Sequence, residues 1–176
     1  FAFLFFVAMA RSNATYWAGR GLRAGGRRTR LSAHLDRPAV VRAEALVGRY
    51  GPVAVDLSFL TVGVQTCYDL RFPELSRALV DRGADVLLVP AAWVAGPHKQ
   101  QQWTTLLAAR AIESTAYVVA ACQSPPRYVG ASRVIDPMGE VLAGVAGVEG
   151  VAVADLHPER VAEVRAAVPS LRHRRL

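Results

Sequence analysis

The residues with the clearest chemical potential are Cys67-Tyr-Asp-Leu-Arg-Phe-Pro-Glu74. A β-rich run ends just before them and Pro73 opens a helical stretch, so the cysteine falls at a strand-to-helix elbow. A helix N-terminus presents free N–H groups and the positive end of a dipole, which favours a thiolate over a thiol. The same N–H groups can hold an oxyanion, and the amide of Tyr68 is the candidate donor. The chemistry would be nucleophilic, a thiolate attacking an electrophilic carbon. The same cysteine also reads as a small buried core residue, and spacing alone leaves both readings open.

The elements that must position this segment are regular from Gly51 onward. Two β-rich runs, 53–57 and 60–66, are joined by a tight turn at Ser58 and Phe59, which predicts a hairpin. A helix is expected from Pro73, with Leu75 and Leu79 on one face and Gly83 as its stop. The run 85–90 is continuously apolar after Asp85, as in strands buried on both faces, and 117–121 is another of the same kind. Between them a helix over about 98–114 places Trp103, Leu106, Leu107 and Ala111 on one side. Asp136-Pro-Met-Gly139 marks a hairpin turn, 151–155 a strand and 158–167 a short helix. Cys122 follows a buried strand and reads as a core residue. The alternation predicts an α/β layered domain.

Composition excludes several classes. The chain has 176 residues, 52% of them hydrophobic, which is rich enough for a packed core. No apolar run approaches the roughly 20 residues of a membrane span, so no membrane is expected as a partner. Two cysteines and four scattered histidines show no metal-ligand spacing, so neither metal nor other cofactor is expected. The formal charge of +7 resides in residues 11–49, where nine arginines face only Asp36 and Glu44. Elsewhere the charge balances and says nothing about partners, and no nucleic acid is expected as one.

Residues 1–50 read as an atypical Arg/Gly-rich or poorly ordered segment. Its opening run, Phe1–Ala10, fits either a signal-peptide core without a basic leader or one buried strand. Asn13-Ala-Thr15 matches a glycosylation acceptor, a triplet frequent by chance. An arginine-rich nucleic-acid arm is the weaker functional reading of this segment.

Residues 62–74, Val-Gly-Val-Gln-Thr-Cys-Tyr-Asp-Leu-Arg-Phe-Pro-Glu, resemble the nucleophile segment of the nitrilase superfamily, the carbon–nitrogen hydrolases. Further resemblances follow in that family's order: 83–93, ending at Trp93; 103–113; 117–121; 130–139; and 169–175. The resemblance covers 51–176, taken as the C-terminal part of a carbon–nitrogen hydrolase domain. It implies part of a four-layer αββα sandwich. It also implies hydrolysis of a non-peptide C–N bond of a small amide through a cysteine thioester, with a Glu–Lys–Cys triad. Carried onto this chain, the nucleophile is Cys67, the oxyanion donor is the N–H of Tyr68, and Trp93 lines the substrate pocket. Arg71, Arg110 and Glu113 match family positions and read as ion-pair or capping residues. The resemblance further implies a cytoplasmic homo-oligomer, most simply a dimer.

This sequence departs from the family upstream of the cysteine. Lys99 is the only lysine, so none precedes Cys67, and Glu44 is the only upstream glutamate. The expectation is a truncated or frameshifted nitrilase-like chain with impaired activity. The alternative is a non-catalytic remnant or interaction module. A half-sandwich would also leave the strands at 85–90 and 117–121 short of cover.

Overall fold

The computed structural model describes residues 3–8 (backbone only), 52, 54–57 and 59–175. The expected hairpin is present: β2 (Ala54–Asp56) and β3 (Thr61–Val64) pair antiparallel, with Ala54 opposite Gly63. The Leu57 N–H closes the turn on the Leu60 carbonyl at 3.1 Å. A 3-10 turn, Cys67–Arg71, follows, and then helix α1 (Pro73–Asp81). Next come β4 (Val86–Ala91), α2 (Lys99–Ser114) and β5 (Tyr117–Cys122). The chain continues through β6 (Ser132–Ile135), β7 (Val141–Val145), β8 (Val151–Leu156), α3 (Pro158–Ala167) and the short α4 (Ser170–His173).

Strands β2 to β7 lie side by side in chain order in one six-stranded sheet. The β3–β4 and β4–β5 pairs are parallel, with α1 and α2 as their crossovers, and the remaining pairs are antiparallel. The chain is therefore α/β, as its alternating pattern requires. Parallel strands need cover on both faces, and the side chains of Val86, Leu87, Val89, Val118, Val119 and Ala120 are fully buried. Cover at β4 and β5 is nearly complete, with Leu88, Pro90 and Ala121 the partly exposed positions. One cluster packs Leu79, Leu87, Trp103, Leu107 and Ala111 beneath the helices; a second gathers Val62, Val86, Val119 and Val134 with Leu156 and Val161. Each fully buried leucine of this kind contributes roughly 2 kcal/mol. Exposed apolar side chains include Val141, Leu142, Val151 and Val153 on β7 and β8.

Two local features set the position of the Cys67 segment. At Gly63 a Cβ would lie 2.9 Å from the Leu79 Cβ and 3.1 Å from that of Ala84, so only glycine lets α1 seat this closely on β3. At the far end of α1, Gly83 takes a positive φ of 92° and sends the chain back into β4, as its position past the helix predicts.

Of the two readings for the opening apolar run, the structure shows the strand. β1 (Phe3–Ala8) pairs antiparallel with β8, from Phe3 opposite Leu156 to Ala8 opposite Val151. The other expectations for residues 1–50, including the Arg/Gly-rich stretch, Asn13 and Glu44, lie outside the described residues.

Candidate active site

Cys67 heads the 3-10 turn with φ 50°, one of three non-glycine residues of positive φ among those described. The left-handed conformation costs a side-chain-bearing residue about 1–2 kcal/mol and persists only where its surroundings enforce it. Here they do. The Asp69 carboxylate accepts from the Thr66 N–H at 2.8 Å, and the Asp69 N–H donates to the Thr66 carbonyl at 3.0 Å, bracing both sides of Cys67. The thiol is partly buried against the core.

The elbow differs from its predicted form in one respect. Helix α1 does not reach back to the cysteine, because Pro73 occupies its first position and Phe72, held by the proline, is extended at φ −109° and ψ 97°. The N–H groups beside Cys67 therefore belong to the 3-10 turn. Tyr68 lies in the first turn, where a 3-10 helix offers its N–H groups no carbonyl of their own. The Tyr68 side chain is exposed and meets Phe72 edge-on at 5.6 Å.

From behind, α2 fixes the turn. The buried Arg110 guanidinium donates through Nη2 to the Leu70 carbonyl at 2.6 Å and through Nη1 to Glu113 at 2.8 Å. Glu113 also faces Arg77 at 3.7 Å. The structural reading of Arg110 and Glu113 as ion-pair and capping residues matches these contacts. Arg71 does not fit that description: it makes no ion pair among the described residues and lies over the Trp93 ring at 4.8 Å.

Trp93 is buried in the loop after β4. Its indole N–H donates to the Lys99 carbonyl at 3.0 Å, and its ring tilts against Trp103 at 5.2 Å. The Trp93 carbonyl accepts from the Val129 N–H, tying this loop to the segment before β6. Cys67 and Trp93 thus belong to the same packed cluster, into which Cys122 also fits. Cys122 is fully buried at the end of β5, and burial pushes its thiol pKa up, against partial relief from the backbone N–H groups of Trp93, Gly130 and Ala131. Its reading as a core residue agrees with this position.

Sequence reasoning picked out Cys67, Tyr68 and Trp93 and read Arg71 as an ion-pair or capping residue, but missed that Arg71 and Lys99 meet the indole and that Gln102 accepts from Arg71. The spacing of Arg71 from Cys67 was visible, but nothing in the pattern revealed that α2 returns Gln102 to meet it. No group of histidine, cysteine or acidic residues able to hold a metal occurs among the described residues.

Comparison with known proteins places this geometry. The family model for carbon-nitrogen hydrolase matches residues 8–166, a span that begins well before Gly51. A deaminated glutathione amidase of Escherichia coli O157:H7 is 47% identical over 121 residues, covering 69% of this chain and 46% of its own length. The chain spans about half the length of this relative. Saccharomyces cerevisiae Nit3, a member of branch 10 of the nitrilase superfamily, superposes with TM-score 0.65 at 30% identity, over 70% of this chain and 47% of its own. A glutamate-to-glutamine mutant of the amidase from Nesterenkonia sp. AN1 superposes with TM-score 0.59 at 29% identity, over 70% of this chain and 44% of its own. Its structure shows covalent addition of the acetamide moiety of fluoroacetamide at the active site cysteine. With its parallel-centred sheet and its family match over most of the sequence, this chain belongs to the carbon-nitrogen hydrolase family.

Proposed function

We propose that this chain carries the nucleophile half of an amidase-type active site, with Cys67 attacking the carbonyl carbon of a small amide. The observation that carries the reading is the placement of Cys67 at the head of a braced 3-10 turn, at positive φ, in a member of this family. The adduct on the cysteine of the similar Nesterenkonia amidase supports it. The thiolate adds to the carbonyl, the Tyr68 N–H holds the resulting oxyanion, and Trp93 forms a wall of the pocket. Collapse expels the amine, which takes up a proton, and leaves a thioester on Sγ; water then releases the acid and restores the thiol.

Proton transfer is the weak step. No lysine precedes Cys67, and the only upstream glutamate is Glu44. With no upstream lysine and a single upstream glutamate to serve as oxyanion cation and base, groups typically worth orders of magnitude in rate, this reading expects slow turnover by the 176-residue chain. The test is ammonia release from small aliphatic amides, with mass spectrometry of Cys67. The reading expects acylation of Cys67 by reactive amides or esters and at most weak turnover, lost in Cys67→Ala. Turnover that survives Cys67→Ala overturns the nucleophile assignment, and turnover at ordinary enzyme rates overturns the impairment.

A further inference from the structure

Gln65 and Ser76 stand on either side of the segment that presents Cys67, and both are fully buried. The Ser76 hydroxyl donates to Gln65 Oε1 at 2.8 Å. Ser76 lies within α1, where a serine hydroxyl commonly turns onto the carbonyl four residues back. Here it reaches instead to the residue that follows β3. Gln65 is held by its backbone as well, its N–H donating to the Leu88 carbonyl of β4 at 3.0 Å. Between the two residues run Thr66, the 3-10 turn Cys67–Arg71, Phe72 and the first residues of α1. The bond therefore closes the neck of a loop whose second residue is the candidate nucleophile. Just inside that neck, Cys67 and Leu75 pack against one core cluster.

Stability alone is a poor account of this pair. Gln65 Nε2 is buried without a hydrogen-bond partner among the described residues. A half-satisfied buried amide is unfavourable, and replacing both members of such a pair by apolar groups of the same shape is close to neutral. What the pair supplies is geometry. It fixes the strand end against α1 across a turn that must hold Cys67 at φ 50°. The Asp69 brace acts within the turn, and Arg110 grips the Leu70 carbonyl from α2. The bond from Ser76 to Gln65 sets where the turn enters and leaves.

We propose that Gln65 and Ser76 are positioning residues for the nucleophile: their buried bond holds the neck of the turn so that the Cys67 thiol and the Tyr68 N–H meet one carbonyl group together. This rests on the reading of Cys67 as the nucleophile and adds two residues that act through it. Addition to a carbonyl needs the thiolate and the oxyanion donor in register, whereas displacement of iodide from iodoacetamide needs the thiolate alone. Loss of the pair should depress acylation more than alkylation.

The test compares two rates at Cys67 in the full 176-residue chain, each followed by peptide mass. Acylation by p-nitrophenyl acetate forms a thioester and releases p-nitrophenolate; alkylation by iodoacetamide forms a thioether and releases iodide. The expected ratio of acylation to alkylation is about tenfold lower in Gln65→Met and in Ser76→Ala. The double variant should fall by the same factor, because all three lose one bond. With both buried polar groups gone, the double variant is close to neutral in stability and keeps the proposal testable should a single variant fold poorly. Asp136→Ala, which disturbs the turn between β6 and β7, should lower stability and leave the ratio as it is. An unchanged ratio in the double variant, single falls that multiply in it, or an equal fall in Asp136→Ala overturns the positioning role and leaves the nucleophile standing. A Cys67 that p-nitrophenyl acetate does not acylate in the unaltered chain overturns the nucleophile reading, and the positioning role with it.

Discussion

Arg110 donates to the carbonyl oxygen of Leu70 at 2.6 Å, and this bond ties helix α2 to the turn that presents Cys67. The guanidinium is buried, its second nitrogen holds Glu113, and the carbonyl it meets lies within the Cys67–Arg71 turn. Arg110 therefore helps set the geometry of the proposed nucleophile.

Replacing Arg110 with methionine keeps much of the stem and removes both donors. The Leu70 carbonyl and Glu113 lose a charged partner, and stability is expected to fall by about 2 kcal/mol. A lower urea midpoint with an unchanged slope checks this. A midpoint equal to that of the parent would show that the clamp is incidental.

Alkylation should separate the two thiols. Near pH 7 iodoacetamide is expected to modify Cys67 well before Cys122, because Cys67 is partly open while Cys122 is sealed and its pKa is raised by burial. Time-resolved peptide mapping reads the order. Modification of Cys122 first would contradict the packing of β5.

Stability should decline in alkali. Burial raises the pKa of Cys122 and also that of Tyr117, whose hydroxyl lies between the N–H and carbonyl of His157 at 3.3 and 3.4 Å. Both groups are neutral when protonated, so the fold holds these protons more tightly than the unfolded chain. Their contribution is complete below the unfolded values, about 8.5 for cysteine and 10 for tyrosine, and is lost as pH rises through the higher folded values. Melting temperature is expected to drop from about pH 8.5 upward. Cys122→Ala should remove the earlier part of the decline and Tyr117→Phe the later part.

The hairpin of β6 and β7 hangs on one carboxylate. Asp136 is buried, accepts the N–H groups of Met138 and Glu140 at 2.9 Å each, and receives Arg160 from α3 at 3.0 Å. Asp136→Ala is expected to cost about 3 kcal/mol, since it strands two N–H groups and frees a cation. Chemical denaturation measures the loss. A cost below 1 kcal/mol would mean that water takes the carboxylate's place.

Most of the framework was legible because local signals and tertiary packing agree. Pro73 and Gly83 bracket α1, Pro158 opens α3, and the unbroken apolar runs of β4 and β5 are what a parallel centre demands. The illegible parts are those where local preference is overruled. His98 at φ 60° and Thr115 at φ 45° flank α2 without the glycine that such angles favour. The 3-10 turn was missed because its brace, Asp69 on Thr66, reads in sequence like an ordinary helix start. At the site, Cys67, Tyr68 and Trp93 stood out by type and resemblance. The convergence of Arg71 and Lys99 on Trp93 depends on where α2 returns, and no short spacing encodes that.

The pairing of β1 with β8 bears on the order in which the protein is made. Strands β2 to β7 neighbour each other in chain order, so that sheet can assemble from its N-terminal side as a nascent chain lengthens. β1 has no such option, for Phe3 must wait until Leu156 has been synthesised. Its closure joins the two most distant strands of the described chain, the slowest kind of contact to form. A ribosome-bound chain arrested before β8 would carry the Cys67 turn already set in its sheet, with β1 still unpaired.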